Sequence, residues 1–181
     1  MKKDFAFPQA NMRFAELSDV DALVKLVNSA YRGESSRQGW TTEADFLEGI
    51  RTHPEHMSQQ INNDNSVMLV VTGKDDTTNA CVYLEARGEK LYLGMLTVQP
   101  ELQDRGIGKQ LMQTAELYAK FLGKKGIQMT VISVRQELIA WYQRRGYRLT
   151  GEKMPFPEHL ALGIPKQSLE FLVLEKNLPT Q

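Results

Sequence analysis

The stretch from Leu91 to Phe121 constrains this chain most, because its pattern changes from strand to helix across a glycine turn. The apolar run 91–98 is rich in β-forming residues and stops at Pro100, which has no N–H to extend a β-ladder. After the segment 103–109, apolar residues return with the spacing of one helix face, at positions 107, 111, 112, 115, 118, 119 and 122. The sequence therefore predicts a strand, a turn and a helix in that order.

The turn reads Gln-Asp-Arg-Gly-Ile-Gly-Lys over residues 103–109. The first turn of a helix has free N–H groups and a partial positive charge, and glycines let phosphate oxygens approach the backbone. Arg105 and Lys109 add positive side chains, which favours a pyrophosphate as ligand. Gly106 and Gly108 alone fit equally well with a helix that merely begins with flexible residues, and neither common phosphate-loop pattern is present.

Two motifs in this region resemble the GNAT superfamily of acyltransferases. Leu-Thr-Val-Gln-Pro followed by Gln103-x-x-Gly106-x-Gly108 is similar to its acetyl-CoA signature, [QR]-x-x-G-x-[GA]. Residues 138–147, Leu-Ile-Ala-Trp-Tyr-Gln-Arg-Arg-Gly-Tyr, resemble its later motif, a helix with an aromatic-Tyr pair that ends in Gly-aromatic. A strand-like segment, 127–134, lies between the motifs. The resemblance covers residues 91–151.

The resemblance implies an α/β fold of mixed α+β character, in which helices flank a mostly antiparallel, splayed central sheet. A length of 181 residues with 41% hydrophobic and 24% charged residues suits one globular domain. We expect a flexible N-terminal arm over residues 1–10 and a single acetyltransferase-like domain over residues 11–181.

Composition excludes several other classes. Lys plus Arg and Asp plus Glu number 22 each, so no bulk charge attracts nucleic acid or an anionic membrane. Cys81 is the single cysteine, and neither a signal peptide nor a membrane-spanning run is evident, so we expect a cytoplasmic protein.

His53, His56 and His159 show no metal-ligand spacing, and the first two are expected on a solvated helix face. The oligomeric state stays open, with a homodimer among the alternatives.

The remaining pattern gives a coarse outline of the fold. Strands are predicted at 12–15, 67–72, 80–87, 91–98, 127–134 and 169–175. Helices are predicted at 20–31, from 42, from 54, at 107–121 and at 136–145, and a long loop at 152–168. Gly94, inside a strand, predicts a bulge. In the superfamily the corresponding strand splays from its neighbour, and pantetheine inserts there like an added strand.

The resemblance also implies acetyl-CoA as the acyl donor and no metal cofactor. The backbone of the bulged strand, the glycine turn and the later helix would hold the donor. The candidate cofactor-binding residues are Leu96, Val98, Gln103, Asp104, Arg105, Gly106, Ile107, Gly108, Lys109 and Tyr142.

Acyl transfer to an amine needs a neutral nucleophile, a stabilised oxyanion and a proton for the leaving thiolate. The Leu96 N–H is the candidate oxyanion donor, and Tyr142 matches the superfamily tyrosine that acts as general acid. Glu85 is the candidate general base. Tyr142 could instead be a core aromatic and Glu85 an exposed strand-end charge, in which case water would serve as base.

The acceptor side is predicted from the first helix and the connection that follows it, with one residue from the late loop. The candidates are Tyr31, Arg37, Trp40, Glu43 and Phe156. Trp40 could instead have a purely structural role and pack its loop against the hydrophobic core. Arg135 stands where the superfamily often has Asn, seven residues before the tyrosine, and could reach a phosphate, an acidic substrate or Glu137.

These features predict an N-acetyltransferase that transfers an acetyl group from acetyl-CoA by direct attack in a ternary complex. The expected acceptor is a small-molecule amine or an amino-acid-like compound. A non-catalytic acyl-CoA-binding or regulatory module is the main alternative, and an interaction protein without a ligand is a weaker one.

Overall fold

The computed structural model describes residues 4–156 and 163–179. Its strands are β1 Met12–Phe14, β2 Leu47–Glu48, β3 Ser66–Thr72, β4 Thr78–Arg87, β5 Lys90–Val98, β6 Gly126–Ile132, β7 Arg148–Pro155, β8 Ile164–Pro165 and β9 Glu170–Asn177. Its α-helices are α1 Val20–Tyr31, α2 Gly33–Ser36, α3 Pro54–Asn62, α4 Ile107–Phe121 and α5 Gln136–Gln143. Short 3₁₀ turns occur at Leu17–Asp19 and Pro100–Leu102.

The described residues form a seven-stranded sheet in the order β1-β3-β4-β5-β6-β9-β7, and β2 pairs separately with β8. Every neighbouring pair in the large sheet is antiparallel except β5 and β6, which are parallel. The expected α/β fold with a mostly antiparallel sheet is confirmed.

Helices cover both faces of the sheet because alternate strand residues point to opposite sides. Leu69 of β3 packs in one cluster with Leu111 and Tyr118 of α4. Its neighbour Met68 packs in a second cluster with Leu23 of α1 and residues of α3. All five of these side chains are almost fully buried.

The predicted bulge lies in β5 directly after Gly94. Gly94 pairs with Tyr83 of β4, but Thr97 pairs with Cys81, so two β5 residues oppose a single residue of β4. Met95 takes the positive φ of +50°. A Cβ on Gly94 would lie 2.9 Å from a ring carbon of Tyr92, so the glycine makes room for this ring.

Pairing between the parallel strands β5 and β6 is short. It joins Lys90, Leu91 and Tyr92 to Gly126, Ile127 and Gln128, and it does not continue to the ends of the two strands. The far halves of β5 and β6 therefore separate, which is the splay expected of this fold.

The helix predicted from Thr42 is wrong. Thr42 Oγ1 accepts a hydrogen bond from the Ala44 N–H at 3.1 Å, but the chain makes one turn and then enters β2. The expected capping box would need the Asp45 carboxylate to reach back to Thr42. Asp45 instead forms an ion pair with Arg37 at 2.7 Å.

The predicted loop 152–168 is also partly wrong. Strand β7 occupies its beginning and β8 lies near its end, while residues 157–162, including Pro157 and His159, lie outside the described residues. Strand β7 is exposed along its whole length, so its sequence has no apolar alternation to reveal it. Strand β9 inserts between β6 and this edge strand instead of closing the sheet.

The described part of the predicted N-terminal arm, residues 4–10, contains no helix or strand. Phe5 nevertheless packs edge-on against Tyr118, with ring centroids 5.1 Å apart, and Phe7 packs against Phe14 at 4.8 Å. These contacts place aromatic rings from the arm beside α4.

Replacement of a buried sheet residue tests this core. Leu91 is fully buried, whereas Leu117 on the outer side of α4 is 47% exposed. We expect Leu91→Ala to lower the free energy of unfolding by about 2–5 kcal/mol, because it loses burial and leaves a cavity. Leu117→Ala should change it by about 0.5 kcal/mol or less. Urea unfolding measures both, and equal shifts of the midpoint would contradict this packing.

Candidate active site

Two depressions meet where β5 and β6 separate. A cavity of about 250 Å³ lies between the end of β5, the start of α4 and α5. A larger groove of about 940 Å³ lies on the other side, bounded by β4, β6, α3 and β7. The residues that line both depressions are Tyr31, Leu96, Arg135, Leu138 and Tyr142. A molecule bound in the cavity can therefore reach one bound in the groove.

The predicted glycine turn forms the floor of the cavity. Asp104 and Gly106 take left-handed φ values of +60° and +81°, which turn the chain sharply into α4. A Cβ on Gly106 would meet no atom within 4 Å, so open space lies beside this backbone. Of the predicted cofactor residues, Arg105 alone does not line the cavity.

Gln103 joins the cavity wall to the loop after α2. Its Oε1 accepts a hydrogen bond from the Trp40 N–H at 3.0 Å, and its Nε2 donates to the Val98 carbonyl at 3.2 Å. A Cβ on Gly39 would lie 2.5 Å from the end of the Gln103 side chain, so glycine here leaves room for Gln103 in this position. The sequence motif indicated Gln103 as a ligand, but it did not reveal this structural role.

One wall of the cavity is aromatic. The Trp40 and Trp141 rings lie 6.3 Å apart between centroids, and the Arg145 guanidinium lies 3.4 Å from the Trp141 ring centroid. A Cβ on Gly108 would lie 3.7 Å from Trp141, so this ring reaches the start of α4. Trp40 thus lines the predicted cofactor side, and it is not among the residues that line the groove.

Tyr31, at the end of α1, lies at the junction of the two depressions. Its hydroxyl donates a hydrogen bond to the Leu96 carbonyl at 3.0 Å. Burial raises the pKa of Tyr31 to about 12, so the phenol stays protonated at neutral pH. The hydrogen bond ties α1 to the bulge in β5.

Tyr142 of α5 is buried at the same junction. Its ring packs edge-on against Trp141, with centroids 5.2 Å apart, and against Tyr147 at 6.0 Å. Burial raises its pKa above the usual value for tyrosine, and the nearby Tyr31 raises it further. Tyr142 is therefore a neutral hydrogen-bond donor throughout the physiological range.

A buried ion network of Glu43, Arg32 and Arg135 lies beside the junction of the two depressions. The Glu43 carboxylate accepts from Arg135 at 3.0 Å and forms an ion pair with Arg32 at 3.1 Å. Arg135 also donates to Thr41 Oγ1 at 2.8 Å. Arg135 thus pairs with Glu43, whereas Glu137 accepts a hydrogen bond from Thr41. The Glu43 carboxylate is engaged within the protein.

Other predicted residues lie away from the junction. Arg37 pairs with exposed carboxylates and lines neither depression, and Phe156 is buried against Phe171. Glu85 does line the groove, but its carboxylate accepts from Arg87 at 2.8 Å. The fold thus does not bring the side chains of Arg37 and Phe156 to the cavity or to the groove.

Arg51 and His56 line the groove, and sequence reasoning missed both. His56 lies on α3, is half-buried and lies 3.3 Å from the Thr52 hydroxyl, so it is only partly solvated. Burial lowers its pKa, and the positive charge of Arg51 lowers it further. Both residues lie in stretches without a motif, so only the folded chain reveals their position.

Across residues 4–156 and 163–179, we find no group of three or more His, Cys, Asp or Glu side chains arranged to hold a metal ion. Within the same ranges, every helix is too short or too polar to cross a bilayer.

Comparison with known proteins identifies the class. The family model described as an acetyltransferase (GNAT) domain matches residues 31–158, well over half of the chain. The chain therefore belongs to the GNAT acetyltransferase family. A search of curated protein sequences finds no match.

Solved structures agree at the level of the fold. The ribosomal-protein-S18-alanine N-acetyltransferase from Escherichia coli superimposes with a TM-score of 0.69 at 12% identity, covering 94% of each chain. A nourseothricin acetyltransferase gives 0.66 at 19% identity, covering 93% of this chain and 98% of its own. A GNAT-family acetyltransferase from Streptococcus pneumoniae gives 0.65 at 19% identity, with the same coverage of 93% and 98%.

Glu43 can be tested as a buried structural charge. We expect Glu43→Gln to lower the free energy of unfolding by about 3–5 kcal/mol, because it leaves Arg32 and Arg135 without their shared carboxylate. Glu137→Gln is the matched control, since Glu137 is exposed, and it should cost about 1 kcal/mol or less. Chemical denaturation gives both values. An unchanged unfolding midpoint together with a raised KM for the amine would instead assign Glu43 to the substrate.

Proposed function

We propose that the protein is an acetyl-CoA-dependent N-acetyltransferase in which the amine attacks the thioester directly within a ternary complex. The observation that carries this proposal is the meeting of the cavity and the groove at one bulged strand. A thioester in the cavity and an amine in the groove would face each other there. Family membership supports acyl transfer as the class of reaction.

The glycine turn fits the pyrophosphate of coenzyme A. Open space beside Gly106 leaves room for phosphate oxygens, and the first N–H groups of the 15-residue helix α4 supply donors and a positive end of a dipole. Lys109 adds a cation to the cavity lining. These features are local, so the turn can hold the anion whatever amine is bound.

The gap between β5 and β6 fits the pantetheine arm. Neither strand pairs with the other beyond Tyr92 and Gln128, so backbone groups on the facing edges are available to an extended ligand. An arm that lies along β5 from the glycine turn would bring the thioester to Leu96.

Leu96 is the proposed donor to the developing oxyanion. It lies in the bulge, where the ladder to β4 is interrupted, and the Tyr31 hydroxyl holds its carbonyl at 3.0 Å. A backbone dipole fixed before the reaction stabilises charge without reorganising. Tyr31 would therefore act on catalysis through the position of this strand.

Tyr142 would assist departure of the thiolate. A thiol has a pKa near 8.5, far below that of the buried Tyr142 phenol, so the hydroxyl is better suited to a strong hydrogen bond than to complete ionisation. The thiolate would be stabilised as the carbon–sulfur bond breaks. The final proton can then come from the amine through water.

An alkyl ammonium must lose its proton before it attacks. Glu85 lines the groove and is the candidate base, although its carboxylate accepts a hydrogen bond from Arg87. Water in the groove is the alternative acceptor of this proton. A Glu85→Gln variant that keeps full kcat would assign the role to water.

Coenzyme A binding tests the glycine turn directly. The chain has two tryptophans, Trp40 and Trp141, and both line the cavity, so their fluorescence should change when coenzyme A binds. We expect Gly108→Asp to abolish this change, because it places a carboxylate beside the phosphates. Gly108→Ala is the matched control and should still bind, since its Cβ would lie at an ordinary 3.7 Å from Trp141 and Val98. Equal affinities for both variants would contradict the assignment.

Tyr142→Phe tests whether this hydroxyl assists departure of the thiolate, because the change removes the hydroxyl and keeps the ring. We expect kcat to fall by about 10²-fold while the affinity for acetyl-CoA is unchanged. An acyl donor with a more acidic thiol should restore part of the rate. Because burial raises the pKa of Tyr142, the wild-type rate should show no loss from tyrosine ionisation up to about pH 10. A reduced affinity without rescue would make Tyr142 part of the cofactor wall.

A further inference from the structure

Arg51 is held in the groove by a residue far away in sequence. The Asn28 side chain of α1 accepts from the Arg51 N–H at 2.7 Å and from the Thr52 N–H at 3.1 Å. Its amide also donates to the Thr52 carbonyl at 3.0 Å. Three hydrogen bonds thus fix the backbone at Arg51 against α1, one helical turn before Tyr31.

The Arg51 guanidinium lies in the groove beside Tyr31, and it has no ion-pair partner among the described residues. It is half-buried, and its central carbon is 5.5 Å from the centre of the Tyr31 ring. Its Nη1 is buried and makes no hydrogen bond to any described residue. Among the described residues, no carboxylate lies within ion-pair distance of it.

The carboxylates around the groove are committed elsewhere or lie at its edge. Glu43 pairs with Arg32 and Arg135, and Glu85 pairs with Arg87. Glu152 also lines the groove but is exposed on the edge strand β7. Arg51 therefore contributes a positive charge to the groove that the described protein groups do not neutralise by a direct ion pair.

We propose that the acceptor is an amine that also carries a carboxylate, and that Arg51 binds this carboxylate. The inference rests on the proposed acetyl transfer and names the class of its acceptor. A guanidinium presents paired N–H donors that match a carboxylate, and a half-buried site strengthens such a bond. The Tyr31 ring spans the distance from Arg51 to the Leu96 carbonyl, so a carboxylate at Arg51 leaves the amine near the thioester.

The same charge argues against acceptors that are only cationic. Arg51 lines the groove, and Arg135 is already paired with Glu43, so a polyamine would approach the like charge of Arg51 there. An amino acid brings its own counter-charge, which makes its net charge near zero before the amine is deprotonated. The groove thus favours carboxylated amines over their decarboxylated counterparts.

Matched pairs of amines test this preference. Thiol release from acetyl-CoA is followed with phenylalanine and 2-phenylethylamine, lysine and 1,5-diaminopentane, and methionine and 3-(methylthio)propylamine. We expect kcat/KM for the acid to exceed that for its partner by about tenfold or more. Arg51→Gln should bring this ratio towards one. Arg87→Gln removes another guanidinium of the same groove and, as the control, should keep the ratio.

A binding measurement separates this inference from the reaction itself. Calorimetry with N-acetylphenylalanine and N-acetyl-2-phenylethylamine needs no turnover, and the acid should bind about tenfold more tightly to the wild type but not to Arg51→Gln. Equal binding of the two compounds by the wild type would overturn the carboxylate site. Thiol release with no preference within any pair would also overturn it and leave acetyl transfer standing. No thiol release with any amine, alongside Arg51-dependent binding of the acid, would overturn the proposed function alone.

Discussion

The structure depends on the early end of pairing between β5 and β6. Three pairs, from Lys90 with Gly126 to Tyr92 with Gln128, join these parallel strands, and then the strands part although both continue. Open strand edges inside a domain need other partners for their polar groups. At Leu96 the Tyr31 hydroxyl supplies such a partner to the carbonyl. The gap that results is what lets a cavity on one side communicate with a groove on the other.

The bulge in β5 complements this gap. Regular alternation would keep Leu91, Leu93 and Met95 on one face of the sheet, yet Met95 packs in the opposite cluster from the other two. The extra residue reverses the sides on which β5 side chains point. Leu96 consequently lies at the junction of the two depressions, and a single residue inserted in one strand determines which backbone group lies between them.

Local sequence predicted the residues that line the cavity better than those that line the groove. The glycine turn and α4 are encoded by contiguous residues whose spacing and φ requirements are visible in the sequence. The turn at Thr42 depends instead on the ion pair that Asp45 forms with Arg37. Strand β7 is an exposed edge strand that is defined only by its pairing with β9. Periodicity carries no information on such distant partners. Arg51 was missed for the same reason, because Asn28 positions it.

The two sides of the site therefore differ in how they are built. The cavity comes mainly from one stretch, 96–109, with α5 packed over it and Trp40 at one wall, so most of its geometry is stabilised by neighbouring residues in the chain. The groove is assembled from α1, the segment around Arg51, β4 and β7, which meet only through tertiary contacts. The buried network of Glu43 with Arg32 and Arg135 fixes part of that assembly, and breaking such a network costs more than an exposed pair would. A change in the groove can thus alter its shape without disturbing the glycine turn of the cavity.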